Sequence, residues 1–191
     1  MLVTGGARSG KSRFAEGLAA SGRAPVLYLA TAEAGDDEMR TRIREHQQRR
    51  PPAWQTLEAR TEVGQALAGL GQPPGTVLLD DLGLLVTNRL LSLSGAGDPT
   101  AETARVLDLE LAAEIDSLLA AQTSGGWDLI VVTNEVGLGI VPAAPLGRVF
   151  RDAVGRANQA LAARADEVYL LVAGLPLRIK PACHHLNPAL P

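Results

Sequence analysis

The stretch Gly5-Gly6-Ala7-Arg8-Ser9-Gly10-Lys11-Ser12 follows a short apolar run, Leu2 to Thr4, and precedes a helix-like run that ends near Ala20. Glycines in such a loop let backbone amides converge on phosphate oxygens, and the lysine adds a mobile positive charge. The strand–loop–helix setting favours this interpretation over a plain glycine-rich turn at a helix start. We therefore predict that all eight residues bind the phosphates of a nucleoside triphosphate.

Two oxygen-bearing side chains are candidate ligands for the Mg²⁺ that accompanies such a nucleotide. Ser12 belongs to the loop itself. Asp80 ends the apolar run Val77 to Leu79, which is where a later strand commonly carries a metal-binding acidic residue. Asp81 is the second choice, and a helix cap or turn is the alternative role for Asp80. The sequence thus predicts a metal held by Ser12 and Asp80.

Strand-like and helix-like stretches alternate along the rest of the chain. Apolar runs with β character span Leu2 to Thr4, Val26 to Ala30, Val77 to Leu79, Leu129 to Thr133 and Val168 to Val172. Helix-like stretches span Lys11 to Ala20, Asp36 to Arg50, Thr61 to Leu70, Thr100 to Ala121 and Leu146 to Arg164. This alternation predicts a mostly parallel sheet with helices on both faces. With the phosphate loop it indicates a single-domain α/β fold of the P-loop NTPase (RecA-like) class, and Leu177 to Ile179 is expected to add an edge hairpin.

Length, composition and charge limit the number of domains and the classes of partner that the chain can have. With 191 residues, 46% of them hydrophobic, the chain fits one domain, which we place at residues 1–180, followed by a surface tail at 181–191. A formal net charge of −3 gives no general attraction to nucleic acid or to an anionic membrane. The single cysteine excludes an intramolecular disulfide, and no apolar run approaches the ~20 residues of a membrane span. A cytoplasmic protein without nucleic-acid partners is expected.

A basic stripe with a histidine lies in the helix-like stretch 36–50. Arg42, His46 and Arg50 are four residues apart and share one helix face, with Arg49 beside them. Flanking guanidiniums keep an imidazole neutral, and a neutral imidazole is a plausible nucleophile toward phosphorus. The same arginines can hold the phosphate oxygens during the attack. A solvated cationic helix face is the usual alternative for such a stripe. Spacing alone does not choose between these two roles.

Several further segments occur in a characteristic order along the chain. They are Leu2–Arg13, Tyr28–Thr31, Asp37–Met39, Arg42-Ile43 with His46 and Arg50-Pro51, Val86–Asn88, Val132–Gly137, Gly139–Pro142, Phe150–Asp152, Gly155 with Asn158-Gln159, and Ala165–Val168. Together they resemble one family, the bifunctional adenosylcobinamide kinase/adenosylcobinamide-phosphate guanylyltransferase of cobalamin biosynthesis. The resemblance covers residues 1 to about 180. Many enzymes share the phosphate loop, whereas Thr-Asn-Glu-Val-Gly followed by Gly-Ile-Val-Pro is much more specific.

The resemblance implies two reactions and a homotrimer whose interfaces help to form the sites. In the first, ATP or GTP phosphorylates the aminopropanol hydroxyl of adenosylcobinamide, with Lys11 and Mg²⁺ stabilising the transfer. In the second, His46 attacks the α-phosphorus of GTP, releases pyrophosphate and passes GMP to adenosylcobinamide phosphate, which yields adenosylcobinamide-GDP. Further nucleotide contacts are implied at Thr31, Ala32, Glu33, Arg49, Arg50, Pro51, Glu58 and Asp80.

Several assignments stay open at this level. Asn134 and Glu135 follow a predicted strand, where they either sense substrate or phosphate or hydrogen-bond their own loop. The run Cys183-His184-His185 offers metal donors, but three adjacent residues do not easily surround one tetrahedral ion. Two other functions compete with the main interpretation. One is a small-molecule kinase without guanylyl transfer, and the other is a noncatalytic nucleotide switch.

Overall fold

The computed structural model describes residues 1–32, 40, 44, 47–48, 50–95 and 97–181. The strands in these residues are β1 (Leu2–Gly5), β2 (Val26–Ala30), β3 (Gln55–Glu58), β4 (Thr76–Asp80), β5 (Asp128–Val132), β6 (Val168–Val172) and β7 (Leu175–Lys180). The helices are α1 (Lys11–Ala20), α2 (Val63–Ala68), α3 (Leu82–Ser94), α4 (Ala101–Gly125) and α5 (Pro145–Arg164). Of the predicted helix 36–50, Arg40, Arg44, Gln47 and Gln48 are helical. Its remaining residues before Arg50, and the predicted tail after Pro181, lie outside the described residues.

The strands form one sheet in the order β3-β2-β4-β5-β1-β6-β7. Every neighbouring pair is parallel except β6 and β7, which form an antiparallel hairpin. The predicted mostly parallel α/β sheet and its edge hairpin are therefore confirmed. Because only β5 separates β1 from β4, the phosphate loop and Asp80 lie near each other at the carboxyl edge of the sheet.

Apolar side chains pack on both faces of the sheet, as the alternation of strands and helices predicts. The larger cluster joins one face to α2, α3, α4 and α5, with Val77 and Leu79 of β4 facing it. The smaller cluster lies beneath α1 and includes Leu78, Ile130 and Tyr28. Successive residues of β4 thus point to opposite faces, and burial on both sides explains why the run is continuously apolar.

Two elements differ from the sequence-based expectation. Strand β3 was not predicted, because Gln55–Glu58 is a polar edge strand in which Leu57 alone is partly buried. Helix α3 was not predicted either, because the run Leu-Gly-Leu-Leu-Val at its start has no clear helical period. Its start is marked by Asp81, whose Oδ1 accepts a hydrogen bond of 2.7 Å from the Leu84 amide.

A buried carboxylate on α4 joins three helices next to β3. Glu114 accepts hydrogen bonds from the backbone amides of Glu62 (2.9 Å) and Val63 (2.6 Å), which are unpaired donors at the start of α2. Its Oε2 also accepts from Arg89 of α3 at 2.9 Å. This arrangement fixes the segment between β3 and α2. None of the described helices is long and apolar enough to cross a membrane.

Candidate nucleotide-binding site

The phosphate loop turns tightly between β1 and α1. A Cβ on Gly5 would lie 2.6 Å from Ser9 Oγ and 2.7 Å from the carbonyl oxygen of Leu171, so no larger residue fits there. Gly10 has a φ of +93°, in the left-handed region that favours glycine. The loop closes with a 3.3 Å hydrogen bond from the Ser9 amide to the Gly6 carbonyl. The loop is thus held in a tight turn directly before the first amides of α1, which are the donors that a helix start offers to phosphate.

Lys11 is the buried cation of this loop. Its side chain is almost wholly buried, with 9% of the residue exposed, and its Nζ donates to the Gly6 carbonyl at 3.4 Å. An ammonium group has three donors, so the weak bond to Gly6 leaves capacity for phosphate oxygens. The lysine is therefore held at the mouth of the loop before a nucleotide arrives.

Asp80 faces the loop from the end of β4. Ser12 Oγ lies 3.4 Å from Asp80 Oδ1, and the Tyr28 hydroxyl donates to Asp80 Oδ2 at 2.8 Å. Burial raises the pKa of the Asp80 carboxyl, while the Tyr28 hydroxyl and the Lys11 charge counteract that rise. Burial and the neighbouring carboxylate also raise the pKa of Tyr28, which keeps its phenol protonated as a donor.

The two predicted metal ligands suit Mg²⁺. The hydroxyl of Ser12 and the carboxylate of Asp80 are hard oxygen donors that already lie side by side. Among the described residues no cluster of three or more acidic, histidine or cysteine side chains surrounds this point. Mg²⁺ is typically held by one or two protein oxygens together with substrate phosphates and water, so this donor set fits.

Asp81, the second choice for the metal, has other partners. Its Oδ1 caps α3, and its Oδ2 accepts a 3.2 Å hydrogen bond from Asn134 Nδ2. Its backbone amide and carbonyl both bond the Thr31 hydroxyl, at 3.0 and 2.7 Å. These contacts tie the ends of β2, β4 and β5 together. The geometry thus favours Asp80 over Asp81 as the carboxylate that faces Ser12.

The loop after β5 is held by hydrogen bonds of its own. Asn158 accepts from the Thr133 hydroxyl at 2.6 Å and donates to the Asn134 carbonyl at 3.1 Å. Glu135 donates its amide to the Gly5 carbonyl, and its carboxylate accepts from the Gly137 amide. Of the two roles considered for Asn134 and Glu135, loop hydrogen bonding is the one that these contacts support.

Apart from the phosphate loop, a pocket of about 390 Å³ lies beside the edge strand β3, and we call it the second pocket. Three predicted nucleotide contacts, Arg50, Pro51 and Glu58, line it with Gln47, Pro52, Trp54 and Thr56. The Arg50 guanidinium carbon lies 3.4 Å from the centre of the Tyr28 ring. Among the described residues, the buried Nε of Arg50 has no hydrogen-bond partner. Trp54 and Thr56 were not predicted from the sequence, although an aromatic residue three positions after Pro51 was a signal for the former.

The predicted site residues fall into two adjacent groups. The first group lies at the carboxyl edge of the sheet and contains the phosphate-loop residues together with Thr31 and Asp80. The Thr31 amide donates a 3.5 Å hydrogen bond to the Asp80 carbonyl. The pocket residues begin one strand away, since Ala30 pairs with Asp80 on one side and with Glu58 on the other. Ala32 follows Thr31 at the same edge. Glu33, His46 and Arg49 lie outside the described residues, so their predicted roles stay predictions.

A glycine-rich phosphate loop after β1, with a carboxylate two strands away, defines a P-loop nucleotide-binding protein of the α/β class. The family model for cobinamide kinase / cobinamide phosphate guanyltransferase matches residues 1–179, and the chain belongs to that family. The chain is 45% identical over 180 residues to the bifunctional adenosylcobalamin biosynthesis protein CobU of Escherichia coli, covering 94% of this chain and 99% of the relative. It is 42% identical over 179 residues to the bifunctional adenosylcobalamin biosynthesis protein CobP of Pseudomonas aeruginosa, covering 94% and 96%. The resemblance drawn from the motifs is thereby confirmed.

Proposed function

We propose that this protein phosphorylates adenosylcobinamide with ATP or GTP and then transfers GMP from GTP to adenosylcobinamide phosphate, producing adenosylcobinamide-GDP. The observation that carries the proposal is the juxtaposition of Lys11, Ser12 and Asp80 at the mouth of the phosphate loop. The family match over residues 1–179 supplies the substrate class. The proposal thus joins the glycine-rich loop of the fold, as the site for the triphosphate, to an acceptor implied by membership of the family.

In the phosphoryl transfer, the chain's own residues act mainly by holding charge in place. The loop amides and Lys11 bind the β and γ phosphates, and the acceptor hydroxyl attacks the γ-phosphorus. The new P–O bond forms as the bond between the γ-phosphorus and the bridging oxygen breaks, the nucleoside diphosphate leaves with that oxygen, and the acceptor proton passes to water. Mg²⁺ bound at Ser12 and Asp80 would neutralise part of the phosphate charge.

In the guanylyl transfer, His46 is the proposed nucleophile. A P–N bond forms between its imidazole and the α-phosphorus of GTP while the α–β phosphoanhydride bond breaks and pyrophosphate leaves. A phosphate oxygen of the acceptor then attacks the same phosphorus, and the P–N bond breaks to regenerate the histidine. Arg49 and Arg50 are proposed to hold the oxygens that gain charge in both steps. Arg50 lines the second pocket, which supports its part.

The pocket beside β3 is proposed to hold the guanine base. A carboxylate that accepts from both N1–H and the exocyclic amine distinguishes guanine from adenine, which lacks this pair of donors. Glu58 is an exposed carboxylate at the end of β3, and Trp54 offers a half-buried indole in the same pocket. An aromatic face suits base stacking. These two side chains support GTP as the guanylyl donor.

A homotrimer is proposed from the family resemblance, with the β6–β7 hairpin as its contact surface. Four apolar residues of this hairpin are each about half exposed or more: Val172 (59%), Leu175 (72%), Leu177 (58%) and Ile179 (48%). An edge strand also presents backbone groups that another chain can pair with. Exposed apolar side chains concentrated on one edge are typical of a protein–protein interface.

Product analysis tests the proposal and separates it from a kinase without guanylyl transfer. Purified protein is incubated with adenosylcobinamide, ATP, GTP and Mg²⁺, and the corrinoids are identified by mass spectrometry. We expect adenosylcobinamide phosphate first and adenosylcobinamide-GDP later, and neither with Lys11→Ala. Phosphate product without the GDP product would support the kinase alternative. No corrinoid product under any nucleotide, with nucleotide binding intact, would support the noncatalytic switch.

A further inference from the structure

Tyr28 is a buried phenol in an otherwise apolar cluster. It lies on β2 beneath α1, with 2% of the residue exposed, among Val3, Leu78 and Ile130. A buried hydroxyl costs free energy unless it is hydrogen-bonded, and this one donates to Asp80 Oδ2 at 2.8 Å. Packing alone would be served equally well by phenylalanine. We therefore expect the Tyr28 hydroxyl to act on Asp80, its hydrogen-bond acceptor.

The phenol makes the two oxygens of Asp80 inequivalent. Oδ2 is bound by Tyr28, and Oδ1 lies 3.4 Å from Ser12 Oγ at the predicted metal position. A carboxylate held by a hydrogen bond at one oxygen is restricted in rotation about its Cβ–Cγ bond. Hydrogen bonds of this kind orient metal ligands and are commonly needed for full metal affinity. The Tyr28 hydroxyl thus keeps Oδ1 directed toward Ser12.

The face of the same ring carries the second contact. The Arg50 guanidinium stacks on it, with its carbon 3.4 Å from the ring centre, and Arg50 also lines the pocket that contains Trp54 and Glu58. Cation–π stacking fixes the position of a guanidinium without using its N–H donors. One buried side chain therefore contacts both the metal-binding carboxylate and the arginine of the neighbouring pocket.

We propose that Tyr28 is a positioning residue with two separable roles, which rests on the nucleotide site proposed above. Its hydroxyl aims Asp80 at the metal beside Ser12, and its ring seats Arg50 in the adjoining nucleotide pocket. Tyr28 does not touch the reacting atoms. Removal of the hydroxyl alone therefore affects metal binding, whereas removal of the ring also affects nucleotide binding in the absence of metal.

Tyr28→Phe and Tyr28→Leu separate the two roles. The probe is Mn²⁺, followed by electron paramagnetic resonance, with guanosine 5′-(α,β-methylene)triphosphate, whose α–β linkage resists guanylyl transfer. Nucleotide affinity without metal is measured separately in EDTA. For Tyr28→Phe we expect Mn²⁺ affinity to fall about tenfold with metal-free nucleotide affinity unchanged. For Tyr28→Leu we expect the same loss and, in addition, about three- to tenfold weaker metal-free nucleotide binding.

Tyr169→Phe is the matched control, because its hydroxyl also donates to a carboxylate, that of Glu167, at 2.8 Å but on β6. It should leave both affinities unchanged. Mn²⁺ affinity of Tyr28→Phe equal to that of the wild type would overturn the proposal, as would an equal loss in Tyr169→Phe. These binding readouts do not depend on the corrinoid reactions. Failure of the proposed enzymatic function is therefore distinguishable from failure of the positioning role.

Discussion

Gly5 occupies a position where a Cβ would meet a side-chain atom, Ser9 Oγ, and a backbone atom, the Leu171 carbonyl oxygen. The second of these belongs to the backbone of β6, which cannot move aside without disturbing the sheet. The identity of this residue thus follows from close packing between the phosphate loop and the neighbouring strand. From the motif, Gly5 was predicted to let backbone amides converge on phosphate. Close packing against β6 is a second reason for a glycine at this position.

Gly5→Ala should consequently destabilise the protein and weaken triphosphate binding. Overpacking of this kind costs about 1–3 kcal/mol of unfolding free energy. Chemical denaturation and nucleotide titration measure the two effects. Gly17→Ala is the matched control, since a Cβ at that position on α1 meets nothing within 4 Å. It should be neutral or slightly stabilising, and a loss as large as that of Gly5→Ala would contradict the packing account.

Asp80 is predicted to serve ligand binding rather than stability. Because burial raises the pKa of its carboxyl, holding that group ionised without a metal costs folding free energy near neutral pH. We expect Asp80→Asn to raise the melting temperature of the metal-free, nucleotide-free protein at pH 7 and to weaken Mn²⁺ binding in the nucleotide complex. Differential scanning calorimetry and metal titration check both parts. A lower melting temperature would show that Asp80 contributes net stability.

Among the elements, the sequence predicted those with clear periodicity and missed those whose identity depends on tertiary neighbours. The buried strands β2, β4 and β5 could be recognised because both of their faces are apolar. β3 could not, since a polar edge strand is defined by pairing with β2 rather than by its own side chains. This matters for function, because Glu58 at its end and Trp54 just before it line the second pocket. The pocket was predicted only in part for the same reason.

Glu114 connects α2, α3 and α4 and so supports the segment that follows β3. Glu114→Ala removes the partners of two backbone amides at the start of α2 and leaves Arg89 without its closest carboxylate. Because hydrogen bonds to a buried charge contribute strongly, we expect a loss of about 3 kcal/mol in unfolding free energy. Urea denaturation measures it. Glu102→Ala, which removes an exposed ion pair with Arg105, should have little effect, and equal losses would contradict the account.

At the scale of the whole molecule, the exposed β6–β7 hairpin is the proposed contact surface of the trimer. Leu177→Glu places a charge in that surface and should shift the molecular mass measured by light scattering from trimer to monomer. Leu109→Glu on α4 is the matched control, since Leu109 is 59% exposed and Leu177 is 58% exposed. It should leave the mass unchanged. A monomeric wild type would contradict the trimer, and a trimeric Leu177→Glu would place the contact elsewhere.

Asp80 beside the phosphate loop and Glu58 in the second pocket lie on opposite sides of β2, and His46 is proposed to act between these two sites. The most direct test of this claim is retention of label from GTP carrying ³²P at the α-phosphate, in the absence of any corrinoid. We predict that the wild-type protein retains acid-labile label and releases it when adenosylcobinamide phosphate is added, whereas His46→Ala retains none. Label that is absent from the wild type, or that persists in His46→Ala, would contradict the account.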